Sequence, residues 1–406
     1  MKLLTAKQMR ELDRMAIEDR GIPSLDLMER AGLGVADEVM ALVDKEAGDV
    51  VVVVGPGNNG GDGLVAARHL LTAGYSVVVL MLSSSSSLSP DSRANWELLA
   101  PMTTKIFTVG DAISLVTHRP SMMRASCIVD AVLGTGLNKD VRGLAASAID
   151  AMNSSGAPIV AVDIPSGLSA DTGFALGRAV VSELTVTFGL PKVGLALGEG
   201  AQYAGRIKVV DIGIPDDLVD KIDSKLLLVE PSMFSSVMGA RAIDSHKGTF
   251  GHVVIFAGSR GHLGAGYLSS IAALRSGCGL ATYCLPQAAF VRFDVGYPEI
   301  MCETIPDGGS ASFSPAGLAR SLELVKDKSV VAIGPAIGTE KETRAFVNDF
   351  IREVEVPLVI DADGLNVLDI KMIRSKRTPV ILTPHPGEMS RLITFPALRS
   401  SPTALP

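Results

Sequence analysis

Val50-Val51-Val52-Val53-Val54 runs directly into Gly55-Pro56-Gly57-Asn58-Asn59-Gly60-Gly61-Asp62-Gly63. An unbroken β-branched run without polar alternation describes a strand buried on both faces, and such strands belong to parallel sheets covered by helices. The glycines that follow permit a tight turn and close backbone approach, and residues 64–73 then read as a helix. Strand, glycine-rich turn and helix in that order point to an α/β architecture.

The same rhythm recurs along the chain. Two helices are expected first, over residues 6–20 (Met9, Leu12 and Ala16 on one face) and 25–45 (Leu27, Ala31, Val35 and Val39). Short buried strands are expected at 75–82, 127–132, 158–164, 183–188 and 206–211, completing a doubly wound parallel sheet. Asp216, Asp217, Asp220 and Lys221 mark a polar junction. A second α/β set is expected at 252–257, 280–285, 330–333, 357–361 and 380–383. The serine run 83–87 reads as a surface loop. The resulting division is a first domain over 1–215, a linker over 216–241, a second domain over 242–392 and a proline-rich tail over 393–406.

Composition narrows the function. A chain of 406 residues with a net charge of −7 offers no basic stripe for nucleic acid. No apolar stretch approaches the length of a membrane span, and the N-terminus has no sustained apolar leader segment. Cys127, Cys278, Cys284 and Cys302 have no CxxC spacing, sit in apolar runs and form no zinc-like cluster with the histidines. They read as reduced core residues, and the expected location is cytoplasmic.

Three loops carry the chemistry. Gly55, Gly57 and Gly60 satisfy GxGxxG, but the second strand ends in Leu82-Ser83 without the acid that an ordinary NAD dehydrogenase places there for the ribose. An oxidoreductase is therefore the weakest reading. Asn58, Asn59 and Asp62 instead bring oxygen ligands into the turn. Asp130, before Gly134-Thr135-Gly136-Leu137, and Asp163, before Ile164-Pro165-Ser166-Gly167, each follow an apolar strand. Open α/β sheets bind ligands at the carboxyl ends of their strands, so three polar loops there point to one site.

These segments, with Thr185 to Gly194 and Asp211 to Pro215, resemble the NAD(P)H-hydrate epimerase family over about residues 5–215. The resemblance implies a Rossmann-like three-layer αβα domain that interconverts the R and S forms of hydrated NADH or NADPH and uses K+. It implies substrate contacts at Asn58, Asn59, Gly60, Gly61 and Asp62, and at Gly134, Thr135, Gly136, Leu137, Asn138, Lys139 and Asp140. It further implies cation ligands at Asn59, Asp130 and Ser166, Asp163 at the reacting ring, and a homo-oligomer. Asp163 is the expected acid–base residue, helping a ring hydroxyl leave and water return. Lys192 either orients the substrate or is structural.

His246 to His252, Ile333 to Gly338, Ile360 to Asn366 and Leu382 to Met389 resemble the ADP/ATP-dependent NAD(P)H-hydrate dehydratases over about residues 242–392. That implies an incomplete ribokinase-like α/β domain with hydrated-cofactor contacts at Gly258, Ala265, Gly338 and His385. The family's Gly-Thr-Gly-Asp loop, which holds the transferred phosphate and supplies a base, occurs nowhere in the sequence. The domain is therefore expected to be truncated and inactive as a dehydratase, with ADP or ATP and Mg2+ relevant only to a complete one, and the tail to be a frameshifted or truncated reading. The rival readings are a non-catalytic binder of cofactor hydrate or nucleotide and a ribokinase-like small-molecule kinase.

Overall fold

The computed structural model describes residues 1–235, 239–290 and 298–393, and the chain divides into two compact units, the second starting at Gly239. The first carries β1 (Val50–Val54), β2 (Val77–Met81), β3 (Ile106–Thr108), β4 (Cys127–Ala131), β5 (Ile159–Val162), β6 (Leu184–Phe188) and β7 (Arg206–Val210). They form one parallel sheet in the order β3-β2-β1-β4-β5-β6-β7. Its principal helices are α1 (Ala6–Arg14), α2 (Ser24–Leu42), α3 (Asn58–Thr72), α4 (Pro90–Leu99), α5 (Ala112–Met123) and α6 (Gly143–Asn153).

The valine run explains the layering. Val50, Val52 and Val54 pack with Ala31, Val35 and Val39 of α2 and Leu64 and Leu70 of α3. Val51 and Val53 pack on the other face with Leu115 and Met122 of α5 and Ile149 and Met152 of α6. Every residue of β1 is buried, which is why the run contains no polar alternation. The result is the Rossmann-like αβα sandwich.

Three features depart from the sequence reading. β3 was not anticipated: it is a short edge strand whose Phe107 is 40 % exposed, so it lacks the apolar run that marks the central strands. The helix expected over 6–20 is α-helical only to Arg14, and Met15–Asp19 widens into a π turn. Part of the expected linker is woven into the first unit. Asp216–Lys221 is a helix whose Leu218 is fully buried, Ile222 joins the same core, and Lys2 Nζ donates to the carbonyls of Val219 and Ile222, each at 2.9 Å.

The second unit repeats the plan with β8 (His252–Phe256), β9 (Leu280–Pro286), β10 (Ile300–Ile305), β11 (Val330–Ile333), β12 (Leu358–Ile360) and β13 (Val380–Leu382). The sheet is parallel, in the order β10-β9-β8-β11-β12-β13, and β10 was likewise not anticipated. Phe256, Phe313, Phe346 and Phe350 interlock on one face, with ring centroids 4.9 to 6.4 Å apart. Tyr267, Ile271 and Leu274 pack against Ile255 and Leu285 on the other. Beyond Ile393 the expected tail lies outside the described residues.

Candidate active site

Strand order reverses between β1 and β4, and the loops leaving those two strands open a crevice at the carboxyl edge of the sheet, where open α/β sheets bind ligands. There the first unit has a cleft of about 630 Å³, a size suited to a small-molecule ligand. Its walls include Asn58, Asn59 and Asp62 from the first loop, Val132 through Asp140 from the second, and Asp163 and Lys192 beyond them. The structure therefore brings the three polar loops together. Gly60 and Gly61 do not line the wall. They lie buried in the first turn of α3.

Local sequence dictates this shape. A Cβ at Gly55 would sit 1.9 Å from the carbonyl oxygen of Val132, and one at Gly60 would sit 2.1 Å from that of Gly55, so only glycine lets the turn close. α3 begins with glycine as its N-cap and has no capping side chain, so its first N–H groups remain available to an anionic group. The first turn of α4 pins the loop from outside. Ser92 Oγ donates to the Gly57 carbonyl at 2.8 Å and Ser89 Oγ donates to Asn58 Oδ1 at 2.6 Å.

Asp163 follows β5 directly and holds a φ of 67°, a left-handed conformation uncommon outside glycine and a recurrent feature of functional sites. Its Oδ1 accepts from Lys192 Nζ, from Thr187 Oγ1 at 3.2 Å and from the Phe188 N–H at 3.3 Å. Lys192 is 1 % exposed, and its ammonium also donates to Thr187 Oγ1 and the Phe188 carbonyl, each at 3.1 Å. With its donors spent on this framework, Lys192 fixes Asp163 and is not an exposed surface lysine.

Asp130 lies within β4 and not after it, as the sequence suggested, because the apolar strand continues through Ala131. Its fully buried carboxylate accepts from Ser166 Oγ at 2.6 Å, from the Ser166 N–H at 2.8 Å and from the Val132 N–H at 3.3 Å. Burial pushes it up to about 6, against the pull of those hydrogen bonds. Asn59 Nδ2 is buried without a hydrogen-bond partner, and the Asn59 side chain packs against Gly134. Among the described residues no group of three or more His, Cys, Asp or Glu side chains is set to hold a metal. A cation here would rest on one carboxylate with amide, hydroxyl and main-chain oxygens, a set suited to a weakly hydrated monovalent ion.

Two acids add to the cleft. Asp62 is raised well above the usual carboxylate range, first by burial and then by the charges of Asp163 and Asp13. Asp13, on α1, also lines the cleft and had not been singled out. The available signal was an aspartate sharing helical spacing with Met9.

In the second unit Gly258, Gly338 and His385 lie just past β8, β11 and β13, and Ala265 lies in the first turn of the helix Gly264–Arg275. Carboxyl ends of parallel strands share an edge, so these positions fall at one side of that sheet. Asp363 Oδ2 accepts from the Gly338 N–H at 3.1 Å, joining two of the loops, and Thr383 Oγ1 donates to Asp361 at 2.7 Å. His385 Nε2 lies 3.2 Å from Glu388.

Comparison with known proteins agrees with this two-part plan. The family model described as YjeF-related protein N-terminus matches residues 24–194. The NAD(P)H-hydrate dehydratase model matches residues 253–403 and so runs into the segment read as a tail. The bifunctional NAD(P)H-hydrate repair enzyme of Moorella thermoacetica is 38 % identical over 97 % of this chain and 75 % of its own length. That of Thermofilum pendens is 36 % identical over 97 % of this chain and 74 % of its own. That of Salinibacter ruber is 38 % identical over 96 % of this chain and 75 % of its own. Similarity of this degree spans both units and takes in both sheet edges, and the chain belongs to the bifunctional NAD(P)H-hydrate repair enzyme family.

Proposed function

We propose that the first unit interconverts the R and S epimers of hydrated NADH and NADPH. The carrying observation is the placement of Asp163: a carboxylate in a strained conformation, fixed by a buried lysine, facing a cleft that an uncapped helix N-terminus makes receptive to phosphate. The substrate bears a hydroxyl on a ring carbon next to nitrogen. When that hydroxyl is protonated and leaves as water, the nitrogen lone pair stabilises the cation. Water then adds to the other face and gives up a proton. Asp163 Oδ1 is occupied by donors, so its second oxygen is the one that exchanges a proton at the reacting centre. Asn58, Asn59, Asp62 and the 134–140 loop hold the substrate, with Gly60 and Gly61 shaping the turn that presents it.

Asn59, Asp130 and Ser166 fit a potassium site, since Asp130 is a buried negative charge among oxygen donors and without a basic partner. A bound potassium ion would supply positive charge beneath the loops. Asp130 and Ser166 would hold the β4 and β5 loops in register around it. The test is the pure R epimer incubated with the protein and followed by NMR in potassium, sodium and cation-free buffers. Conversion toward the epimer mixture, fastest in potassium, is the expected result. A melting temperature that rises with potassium in the wild type but not in Asp130→Ala checks the site without reference to activity.

For the second unit, the edge carrying Gly258, Ala265, Gly338 and His385 supports binding of the hydrated cofactor. ADP- or ATP-dependent dehydration with Mg2+ is the family chemistry that follows. Because Gly-Thr-Gly-Asp is absent from these 406 residues, we expect them by themselves to regenerate no absorbance near 340 nm from the S epimer and ATP.

A further inference from the structure

The cleft holds an acid that no motif and no family resemblance assigns. Asp13 is placed there by the chain's first elements. Thr5 and Gln8 form a capping box that fixes the start of α1. Leu4 pairs with Lys192, its N–H donating to the Pro191 carbonyl at 3.0 Å and its carbonyl accepting from the Val193 N–H at 2.9 Å. The start of the helix is thus tied to the loop that fixes Asp163. Met9, Asp13 and Ile17 follow at intervals of one turn and all line the cleft, which leaves a single carboxyl between two apolar side chains. The helix widens into its π turn two residues after Asp13, a distortion frequent at functional sites.

The Asp13 carboxyl takes no hydrogen bond from the described residues, whereas Asp163 Oδ1 takes three. Asp62, 9 % exposed and also without a hydrogen-bond donor among the described residues, faces the same space, so the cleft presents two carboxyls that take no bond from the protein and stand open to a ligand. Epimerisation imposes a further demand. The hydroxyl leaves one face of the ring and water returns to the other, while Asp163 is pinned on one side. The second face needs its own proton carrier.

We propose that Asp13 is this carrier, a second catalytic acid–base group acting on the ring face turned away from Asp163; this rests on the epimerase reading above. In one direction the C–O bond breaks with its electron pair going to oxygen, which takes the Asp13 proton and leaves as water. The nitrogen lone pair forms C=N. Water adds from the opposite face, forms the new C–O bond and passes a proton to Asp163. No electrons are gained or lost, and the reverse direction exchanges the two roles. The surroundings suit this division of labour. Burial pushes Asp13 up to about 6, against the pull of Lys192 and with the push of Asp163, so it carries a proton readily while Asp163 stays beside an ammonium.

The experiment compares epimer exchange in the full chain for wild type, Asp163→Asn, Asp13→Asn and Asp13→Glu, alongside their thermal melts. Asp13→Asn is expected to melt no lower than wild type, to lose about 10²-fold or more in kcat and to keep KM within a few-fold, with Asp13→Glu recovering part of the loss. If Asp163→Asn is inactive while a folded Asp13→Asn keeps more than about a tenth of wild-type kcat, this inference is overturned and the epimerase reading stands. Glutamate no better than asparagine in folded protein also overturns it. A wild type that does not exchange epimers overturns the epimerase reading, and the Asp13 assignment with it.

Discussion

Asp62 shows what the cleft costs the fold. Its carboxyl is buried, meets no hydrogen-bond donor among the described residues and lies near three other acids, Asp163, Asp13 and Asp91, so ionisation is strongly disfavoured. A carboxyl raised in the folded state contributes stability that is complete below its unfolded value, near 4, and is lost as pH rises through the folded value. Asp62→Asn should therefore raise the melting temperature at pH 7–8, with the gain shrinking toward pH 4. A gain that is instead constant across that range would place its cause in packing and not in charge. Lys192 is the opposite case: its ammonium is buried but fully used. Lys192→Met should destabilise the first unit by about 3–5 kcal/mol, because it strands Asp163 as well as removing the ammonium. Denaturant unfolding followed in that unit checks this, and a loss below about 1 kcal/mol would mean that solvent reaches Asp163 freely.

At the scale of elements, the turn after β1 and the loop after β4 behave differently although both are glycine-rich. Gly60→Ala drives a Cβ to 2.1 Å from a backbone carbonyl that has no room to yield, whereas a Cβ at Gly136 meets nothing within 4 Å. Gly60→Ala should lower the melting temperature by several degrees and abolish exchange, while Gly136→Ala should melt within about a degree of wild type. Equal melts for the two variants would mean that the β1 turn can relax. The central strands, this turn and the three polar loops could be read from the sequence because each combines an unbroken apolar run with residues that only a site needs. β3 and β10 could not. Phe107 is half exposed on an edge, and Glu303 and Thr304 interrupt the apolar pattern of β10. Asp13 was hidden for another reason. Its helix lies far from every loop motif in sequence, and only the pairing of Leu4 with Lys192 brings it to the cleft.

The whole molecule raises the question of where its first folding unit ends. Polarity suggested residue 215, yet Leu218 is fully buried and Ile222 nearly so, both in the core that holds β1. The segment beyond them returns to the N-terminus. The Leu3 N–H donates to the Leu226 carbonyl at 2.9 Å, Ser224 Oγ donates to the Leu3 carbonyl at 2.6 Å, and Lys2 pairs with Leu227. These contacts brace the same short stretch that leads into α1, so their loss would loosen the placement of Asp13 as well as expose core. A fragment of residues 1–235 should therefore be soluble and exchange epimers, whereas one ending at 215 should be markedly less stable and slower. In the intact chain Leu218→Ala isolates the packing part of this effect. It should cost about 2–5 kcal/mol in denaturant unfolding of the first unit. If the fragment ending at 215 unfolds at the same denaturant concentration as the longer one, the returning segment is a passenger and the polar junction marks the true boundary.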